Sequence, residues 1–265
     1  MASVFLAGCV FLRATPPGPP APTPDTARGE LHAAQLMAAS LFIRQAGKEE
    51  MQKMDGVFAE LEVKYPQDAA IVNGHAEFLW STEDRDRAVE KWRAAEKLDP
   101  NFAPALDHLG DVAFGLGEVK KAADYYARAV RIAPDNAAYH FGYANVVFLF
   151  RHDLHDATHA DSDSLLDESL KHFAEASRLD PLNTNYARAF AETYYAIPKP
   201  DWSEALKAWR HLYDISPTKD FALLNLARVH MKLGNKPEAR ASLGEIQDPK
   251  FDRAKARLKG RIEVE

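Results

Sequence analysis

Small and apolar residues recur at three- and four-residue steps between residues 103 and 134, in two blocks with glycines between them. The recurring residues are Leu106, Leu109, Gly110 and Ala113 in the first block and Ala122, Tyr126 and Ala129 in the second. Such spacing places each set on one face of a helix. Gly115 and Gly117 mark a turn, and Pro134 ends the second helix because it has no amide hydrogen. The pattern therefore predicts a helical hairpin.

Prolines of this kind repeat along the chain and set the boundaries of similar units. They are Pro66, Pro100, Pro134, Pro181 and Pro217, which lie 34, 34, 47 and 36 residues apart. The pattern predicts six helical hairpins, near residues 35–66, 69–100, 103–134, 137–181, 184–217 and 220–249, and one further amphipathic helix at 250–262. Two helices cannot bury their apolar faces alone, so successive hairpins must stack, and we expect the last helix to cap the stack.

The hairpins also match a known repeat in register. With Ala103 counted as position 1, the large, small and proline residues of the hairpin at 103–134 fall at positions 4, 7, 8, 11, 20, 24, 27 and 32. This pattern resembles the tetratricopeptide repeat (TPR), a helix–turn–helix unit of about 34 residues. The resemblance covers roughly residues 34–249. It implies an all-α, right-handed TPR-type α-solenoid of about six repeats with a C-terminal capping helix, in a domain that we place at 28–265.

Composition narrows the range of functions. The chain has 265 residues, of which 46% are hydrophobic and 27% are charged, and its net charge is −6. This balance gives no support for a nucleic-acid partner. The sequence contains neither a phosphate-binding glycine loop nor a G-x-S-x-G motif. We therefore predict a protein that is not an enzyme, needs no cofactor and binds a protein or peptide partner.

The first 27 residues form a separate region in this interpretation. Leu6-Ala7-Gly8-Cys9 resembles the lipoprotein box of bacteria, and Cys9 is the only cysteine of the chain. Six prolines between Pro16 and Pro24 predict an extended spacer. Only eight residues precede Cys9, and none is lysine or arginine. A secretory signal has a basic start and a longer apolar run, so one explanation is that the natural start lies upstream, and the alternative is a frayed N-terminus of a cytosolic protein.

The lipoprotein resemblance implies a location. Cys9 would carry lipid and anchor the protein to the bacterial cell envelope, facing the periplasm, with residues 1–27 as the tether. Val10 follows the cysteine, and the absence of an aspartate there resembles lipoproteins sorted to the outer membrane. A role in envelope assembly is implied by the same resemblance. The alternative is a soluble cytosolic adaptor, in which case the protein has no contact with a membrane.

By analogy with TPR arrays, positions 5, 9 and 12 of each unit point into a concave groove. Position 12 of units two to six is occupied by Trp80, Phe114, Phe148, Tyr195 and Met231, position 9 by Glu77, Asp111, Asn145, Glu192 and Arg228, and position 5 by Asn73, Asp107, Phe141, Arg188 and Leu224. An aromatic ladder thus lies beside a mostly acidic row. It would suit an extended peptide or a helix with lysine or arginine near its apolar side chains. Alternatively, the position-12 residues pack between repeats as core.

The fourth unit carries about 13 extra residues, 151–163, which we expect to form a loop at one edge, with part of it extending either helix. This segment contains His152, His155 and His159 among several aspartates. Imidazole and carboxylate groups bind divalent metals, so a metal-responsive protein is a further alternative. No fixed ligand spacing is matched, and the preferred interpretation is an exposed polar loop without a metal.

Overall fold

A computed structural model of the chain describes residues 24–158 and 161–264 and shows helices and no strand within them. The α-helices are α1 Pro24–Ile43, α2 Lys48–Lys64, α3 Ala69–Ser81, α4 Arg85–Leu98, α5 Ala103–Gly115, α6 Val119–Ile132, α7 Ala137–Leu149, α8 Arg151–Thr158, α9 Ser162–Leu179, α10 Thr184–Thr193, α11 Trp202–Ile215, α12 Asp220–Lys232, α13 Lys236–Glu245 and α14 Asp252–Val264. A 3-10 turn at Pro249–Phe251 leads into α14. The predicted all-α class is confirmed. Among the helices of the described residues, none has the length and apolar character that crossing a membrane requires.

The chain divides into two compact units, and the boundary lies between Pro66 and Gln67. In the first unit, α1 begins at Pro24, so residues 24–27 are helical although we had assigned them to the spacer. Proline is tolerated in the first turn of a helix because its missing amide has no partner there. Residues 1–23, and with them Cys9, lie outside the described residues.

The second unit begins at Gln67, and several of its helices, α3, α7 and α10 among them, start at a residue whose side chain caps the helix. Asp68, Asn136 and Asn183 each stand two residues after a helix-ending proline. Their side chains accept hydrogen bonds from the backbone amides two residues ahead, at 2.9, 2.9 and 3.1 Å. These bonds satisfy amide groups that the first turn of a helix leaves without a partner. The proline therefore ends one hairpin, and the cap begins the next.

The core of the second unit is continuous from hairpin to hairpin. Trp92 of α4 is 2% exposed and packs between α3 and α5, while Trp209 of α11 is 0% exposed and packs between α10 and α12. Alanines surround both indole rings. Because each second helix buries its large residue against the next hairpin, the unit is a TPR-type helical solenoid as predicted.

Tyr126 of α6 holds two neighbouring hairpins close together. A Cβ atom at Gly110 of α5 would lie 2.9 Å from the Tyr126 ring, and one at Gly142 of α7 would lie 2.6 Å from it. Both distances are shorter than side chains tolerate. The ring is 3% exposed and occupies the space that the two missing side chains leave. The two glycines are therefore required by this close approach rather than by a turn.

The insertion in the fourth predicted hairpin, residues 137–181, differs from the predicted loop. Residues 151–158 form α8, and Leu154 is 5% exposed because it packs against apolar residues of α6, α7 and α9. One buried leucine thus fixes the segment as an additional helix. The loop prediction is wrong for these residues, and residues 159 and 160 lie outside the described ones.

The last helix closes the apolar end of the unit. Leu258 and Ile262 of α14 are 6% and 2% exposed and pack against leucines of α12 and α13. Lys255 donates a hydrogen bond to the backbone oxygen of Ile246 at 2.8 Å. The predicted capping helix is confirmed.

Candidate functional site

The position-12 residues have one buried side and one exposed side. Trp80 is 37% exposed and lies 5.2 Å from Trp92, measured between ring centroids. Tyr195 is 39% exposed and lies 5.9 Å from Trp209. Phe148 is half-buried and contacts Phe173 edge to face at 6.2 Å. These residues pack on the second helix of their own hairpin and still present a surface, so the two alternatives from the sequence do not exclude each other.

Four of these residues line three cavities. Trp80 belongs to a pocket between α4 and α5 that also contains Arg85, Arg93 and Leu116. Phe114 belongs to a second pocket, which we call the acidic pocket; its lining residues are Asp107, Asp111, Phe114, Tyr126, Ala138, Phe141, Gly142, Asn145, Leu149 and Tyr186. Tyr195 and Met231 belong to a third, which we call the basic groove; its lining residues are Tyr195, Arg228, Met231, Lys232, Lys250, Arg253, Ala254, Arg257, Leu258 and Arg261. The first two cavities adjoin, since Asp111 lines both of them.

The acidic pocket has a volume of about 450 Å³ and lies between the first helices of three successive hairpins, α5, α7 and α10. Its aromatic walls include Phe141 and Tyr186, whose ring centroids are 4.7 Å apart. Tyr126 contributes from α6 and donates a hydrogen bond from its hydroxyl to Oδ1 of Asp111 at 2.5 Å. Because Tyr126 is fixed by the two glycines, it holds Asp111 in place.

Asp107 is the electrostatically unusual group of this pocket. Burial raises the pKa of Asp107 to about 6, and the neighbouring charge of Asp111 adds to the effect, while His108 opposes it. No group among the described residues donates a hydrogen bond to the Asp107 side chain. Asp107 is partly buried and Asp111, one helical turn further along α5, is exposed, and no lysine or arginine of the described residues forms an ion pair with either carboxylate. A strongly shifted group in a cleft is typical of a functional site.

The remaining acids of the predicted row already have partners. Glu77 accepts hydrogen bonds from Asn73 at 2.8 Å and from His108 at 3.3 Å. Burial alone would raise the pKa of Glu77, but these two hydrogen bonds outweigh burial and leave that pKa lowered. Glu192 pairs with Arg188 at 3.0 Å. The acidic row is thus reduced to the pair Asp107 and Asp111.

The other two position-9 residues differ in their surroundings. Asn145 lines the acidic pocket beside Phe141. Arg228 lines the basic groove and donates a hydrogen bond to Oδ1 of Asn225 at 2.9 Å. Position 9 therefore contributes to two sites of opposite charge.

The comparisons with known proteins agree with this architecture. A family model described as Tetratricopeptide repeat matches residues 73–137, and a second with the same description matches residues 221–248. The chain therefore contains two segments that are similar to tetratricopeptide repeats. A comparison with curated protein sequences found no match.

Solved TPR structures show the same fold at low sequence identity. YrrB, described as a TPR protein with an unusual peptide-binding site, is 19% identical with a TM-score of 0.61, and the alignment covers 77% of this chain and 97% of YrrB. The pilF protein of Pseudomonas aeruginosa is 12% identical with a TM-score of 0.62, over 89% of this chain and 99% of that one. No catalytic family is indicated by these comparisons.

The basic groove was missed by sequence reasoning about the TPR pattern. From the sequence we expected the last helix only to cap the stack; in the structure its exposed Arg253, Arg257 and Arg261 line a cavity of about 820 Å³ between α14 and α12. Their four-residue spacing beside Ala254 and Leu258 is the signal that was available. It placed a basic stripe along the edge of an apolar stripe, which is where a groove against a neighbouring helix forms.

A metal site at the predicted histidines is not assembled in the described residues. His152 and His155 are exposed on α8, and His159 lies outside the described residues. Within the described part of the chain, Asp107, His108 and Asp111 form a group whose ligand atoms lie within 4.8 Å of one another. The His108 ring is stacked on Trp92 at 4.5 Å, and its Nε2 faces Glu77. His108 thus already has a structural role between two repeats.

Proposed function

We propose that the second compact unit, residues 67–265, is a non-enzymatic protein–protein interaction scaffold that binds an extended peptide or a helix of a partner protein. In this proposal, the acidic pocket takes a lysine or arginine side chain of that partner. The observation that carries the proposal is the Asp107–Asp111 pair, which lies inside an aromatic pocket without a cation.

The chemistry of the pocket favours a cationic anchor. A lysine or arginine entering between Asp107 and Asp111 would supply the opposite charge that the pair lacks, and ion pairs of this kind are stronger in a partly buried site than at the surface. Phe114, Phe141 and Tyr186 line the pocket. Their rings would cover the aliphatic stem of the side chain and attract its charge by cation–π contact.

The comparisons support the proposal only through the fold. YrrB is a TPR protein described as having a peptide-binding site, and it shares the fold of this chain at 19% identity. A surface formed by successive first helices is the usual binding surface of such arrays. The partner chemistry proposed for this chain rests on its own residues.

The test uses the full chain and synthetic ten-residue peptides with one lysine flanked by leucine and phenylalanine. A matched set carries norleucine, which has the same aliphatic chain without the charge. We expect the lysine set to bind and the variant Asp107→Asn/Asp111→Asn to lose about tenfold or more in affinity, measured by fluorescence anisotropy. The norleucine set should bind both proteins with equal, weaker affinity.

Asp124→Asn is the matched control, since Asp124 is an exposed acid of α6 that does not line the pocket. This variant should bind the lysine set as the wild type does. If the lysine and norleucine peptides bind the wild type equally, or if the double variant keeps its affinity for the lysine peptides, the pocket does not recognise a cation and the proposal fails.

We further propose that the protein is tethered to a bacterial envelope through lipid on Cys9 and serves in envelope assembly. This part rests on the sequence Leu6-Ala7-Gly8-Cys9 and the proline-rich segment after it. Fractionation of the protein expressed with a complete secretion signal should place the wild type with membranes and Cys9→Ser in the soluble fraction. A wild type that stays soluble would favour the cytosolic adaptor instead.

A further inference from the structure

We infer that the basic groove is a second binding site, which takes an acidic, partly apolar segment of a partner protein. It has the opposite charge preference from the acidic pocket and goes beyond the proposed function. The two sites share no lining residue.

The groove concentrates positive charge on a chain that is negative overall. The six cations that line it are Arg228, Lys232, Lys250, Arg253, Arg257 and Arg261, and none of the described residues that line it is acidic. The whole chain carries a net charge of −6. Cations from α12, the turn before α14 and α14 itself therefore converge on one cavity. A field of one sign inside a cleft attracts ligands of the opposite sign.

Some of these cations have partners within the described chain, and others have none. Arg253 and Arg257 are exposed and make no ion pair or hydrogen bond with any described residue. Lys250 pairs with Asp248 at 2.6 Å, and Lys232 lies 5.6 Å from the centroid of the Trp202 ring. The central arginines of α14 thus keep their donors for a ligand, and a guanidinium can bind a carboxylate through two parallel hydrogen bonds.

Apolar groups in the groove distinguish an acidic peptide from a polyphosphate chain. Met231, Leu258 and Ala254 lie among the cations, and Tyr195 presents one side of its ring. The Tyr195 hydroxyl is held by a hydrogen bond to Oδ1 of Asn225 at 3.3 Å. Leucine or phenylalanine side chains between carboxylates would cover these groups, whereas a nucleic-acid backbone offers none. The cavity of about 820 Å³ lies within the range of roughly 300–1,000 Å³ of ligand sites.

The test measures binding of a fluorescein-labelled ten-residue peptide in which glutamate alternates with leucine and phenylalanine. We expect the wild-type full chain to bind it, with affinity that falls as salt rises. Arg253→Glu/Arg257→Glu should weaken binding by about tenfold or more. Arg240→Glu/Lys259→Glu is the matched control, because it changes net charge equally at two exposed positions that do not line the groove. It should keep most of the affinity.

Three results would overturn the inference. One is equal weakening in both double variants, which would indicate attraction by net charge alone. Another is no measurable binding of the acidic peptide at low salt. The third is tighter binding of a ten-residue oligothymidylate, or of phosphatidylserine vesicles, which would assign the groove to a nucleic acid or a lipid surface.

The two proposals fail separately. Asp107→Asn/Asp111→Asn should leave binding of the acidic peptide unchanged, and Arg253→Glu/Arg257→Glu should still bind the lysine peptides. Loss of lysine-peptide binding with intact acidic-peptide binding would remove the proposed function and leave this inference standing. The reverse result would remove only this inference.

Discussion

The acidic pocket and the basic groove place charge in different ways. In the pocket, the charge sits on two short aspartates of α5, of which Asp107 is partly buried and Asp111 is exposed. In the groove, it sits on long arginine and lysine side chains that reach in from the rim. Short side chains cannot move away from a desolvated place, while long ones keep their charged ends in water. The pocket is therefore expected to lower folding stability, and the groove is not.

This difference can be measured through stability as well as binding. All four tryptophans, Trp80, Trp92, Trp202 and Trp209, lie in the second unit. Their fluorescence therefore reports unfolding of the unit that contains both sites. Each prediction below is a change in the urea unfolding of that unit.

The largest change in the free energy of unfolding is expected for a substitution of Gly142, which lines the acidic pocket. Gly142→Ala would place a Cβ atom 2.6 Å from the Tyr126 ring, which is buried and cannot move aside without disturbing its neighbours. We expect a loss of about 1–3 kcal/mol in the free energy of unfolding. Displacement of Tyr126 should also weaken lysine-peptide binding, because this residue holds Asp111.

Gly115→Ala serves as the control for that substitution. Gly115 ends α5, and a Cβ atom there would meet nothing within 4 Å. The control should be as stable as the wild type or slightly more stable. A Gly142→Ala variant that unfolds at the same urea concentration as the control would show that the ring moves freely, and the pocket would then lack its rigid wall.

A smaller effect of opposite sign is expected for Asp107→Asn. The pKa of Asp107 is about 6 in the folded chain and about 3.9 in an unfolded one. Between these values the folded state binds more protons, so the wild type loses stability as pH rises through 6. We expect Asp107→Asn to be more stable than the wild type by about 1–2 kcal/mol at pH 8 and by almost nothing at pH 4.

The smallest effect is expected in the basic groove. Arg257→Gln removes one exposed charge that has no partner in the described chain. It should change the free energy of unfolding by less than about 0.5 kcal/mol, with no difference between pH 4 and pH 8. If Asp107→Asn changes the free energy of unfolding no more than Arg257→Gln does at either pH, the charges of the two sites do not differ in their effect on stability.

Most helix boundaries could be predicted because local chemistry sets them. The helix-ending prolines and the caps two residues later mark the starts of α3, α7 and α10. The additional helix α8 could not be predicted, because its polar sequence shows no apolar face. Among residues 151–155, whose burial the structure describes, Leu154 alone is buried, and its contacts come from three other helices. A single leucine has no periodicity to detect.

The candidate sites were only partly predictable for a similar reason. Position counting named Asp107, Asp111, Phe114, Phe141 and Asn145, which the structure brings into one pocket. It could not show that the Glu77 carboxylate is already hydrogen-bonded to His108, because His108 belongs to the next repeat. It also did not identify the basic groove: the spacing of the arginines beside the apolar stripe of α14 was visible in the sequence, but the groove itself depends on how α14 lies against α12. Contacts between repeats decide which charges remain available.

Tyr126 has a consequence for any attempt to transplant the acidic pocket into a designed repeat array. Its ring sits over Gly110 and Gly142 and its hydroxyl orients Asp111, so four positions on three helices act as one part. Grafting the two aspartates alone would leave them on a helix with different spacing, and Asp111 would lose the hydrogen bond from Tyr126. Tyr126 and both glycines would have to be grafted together with the aspartates. The smallest segment that contains all of them is the hairpin of α5 and α6 together with α7, the first helix of the next hairpin.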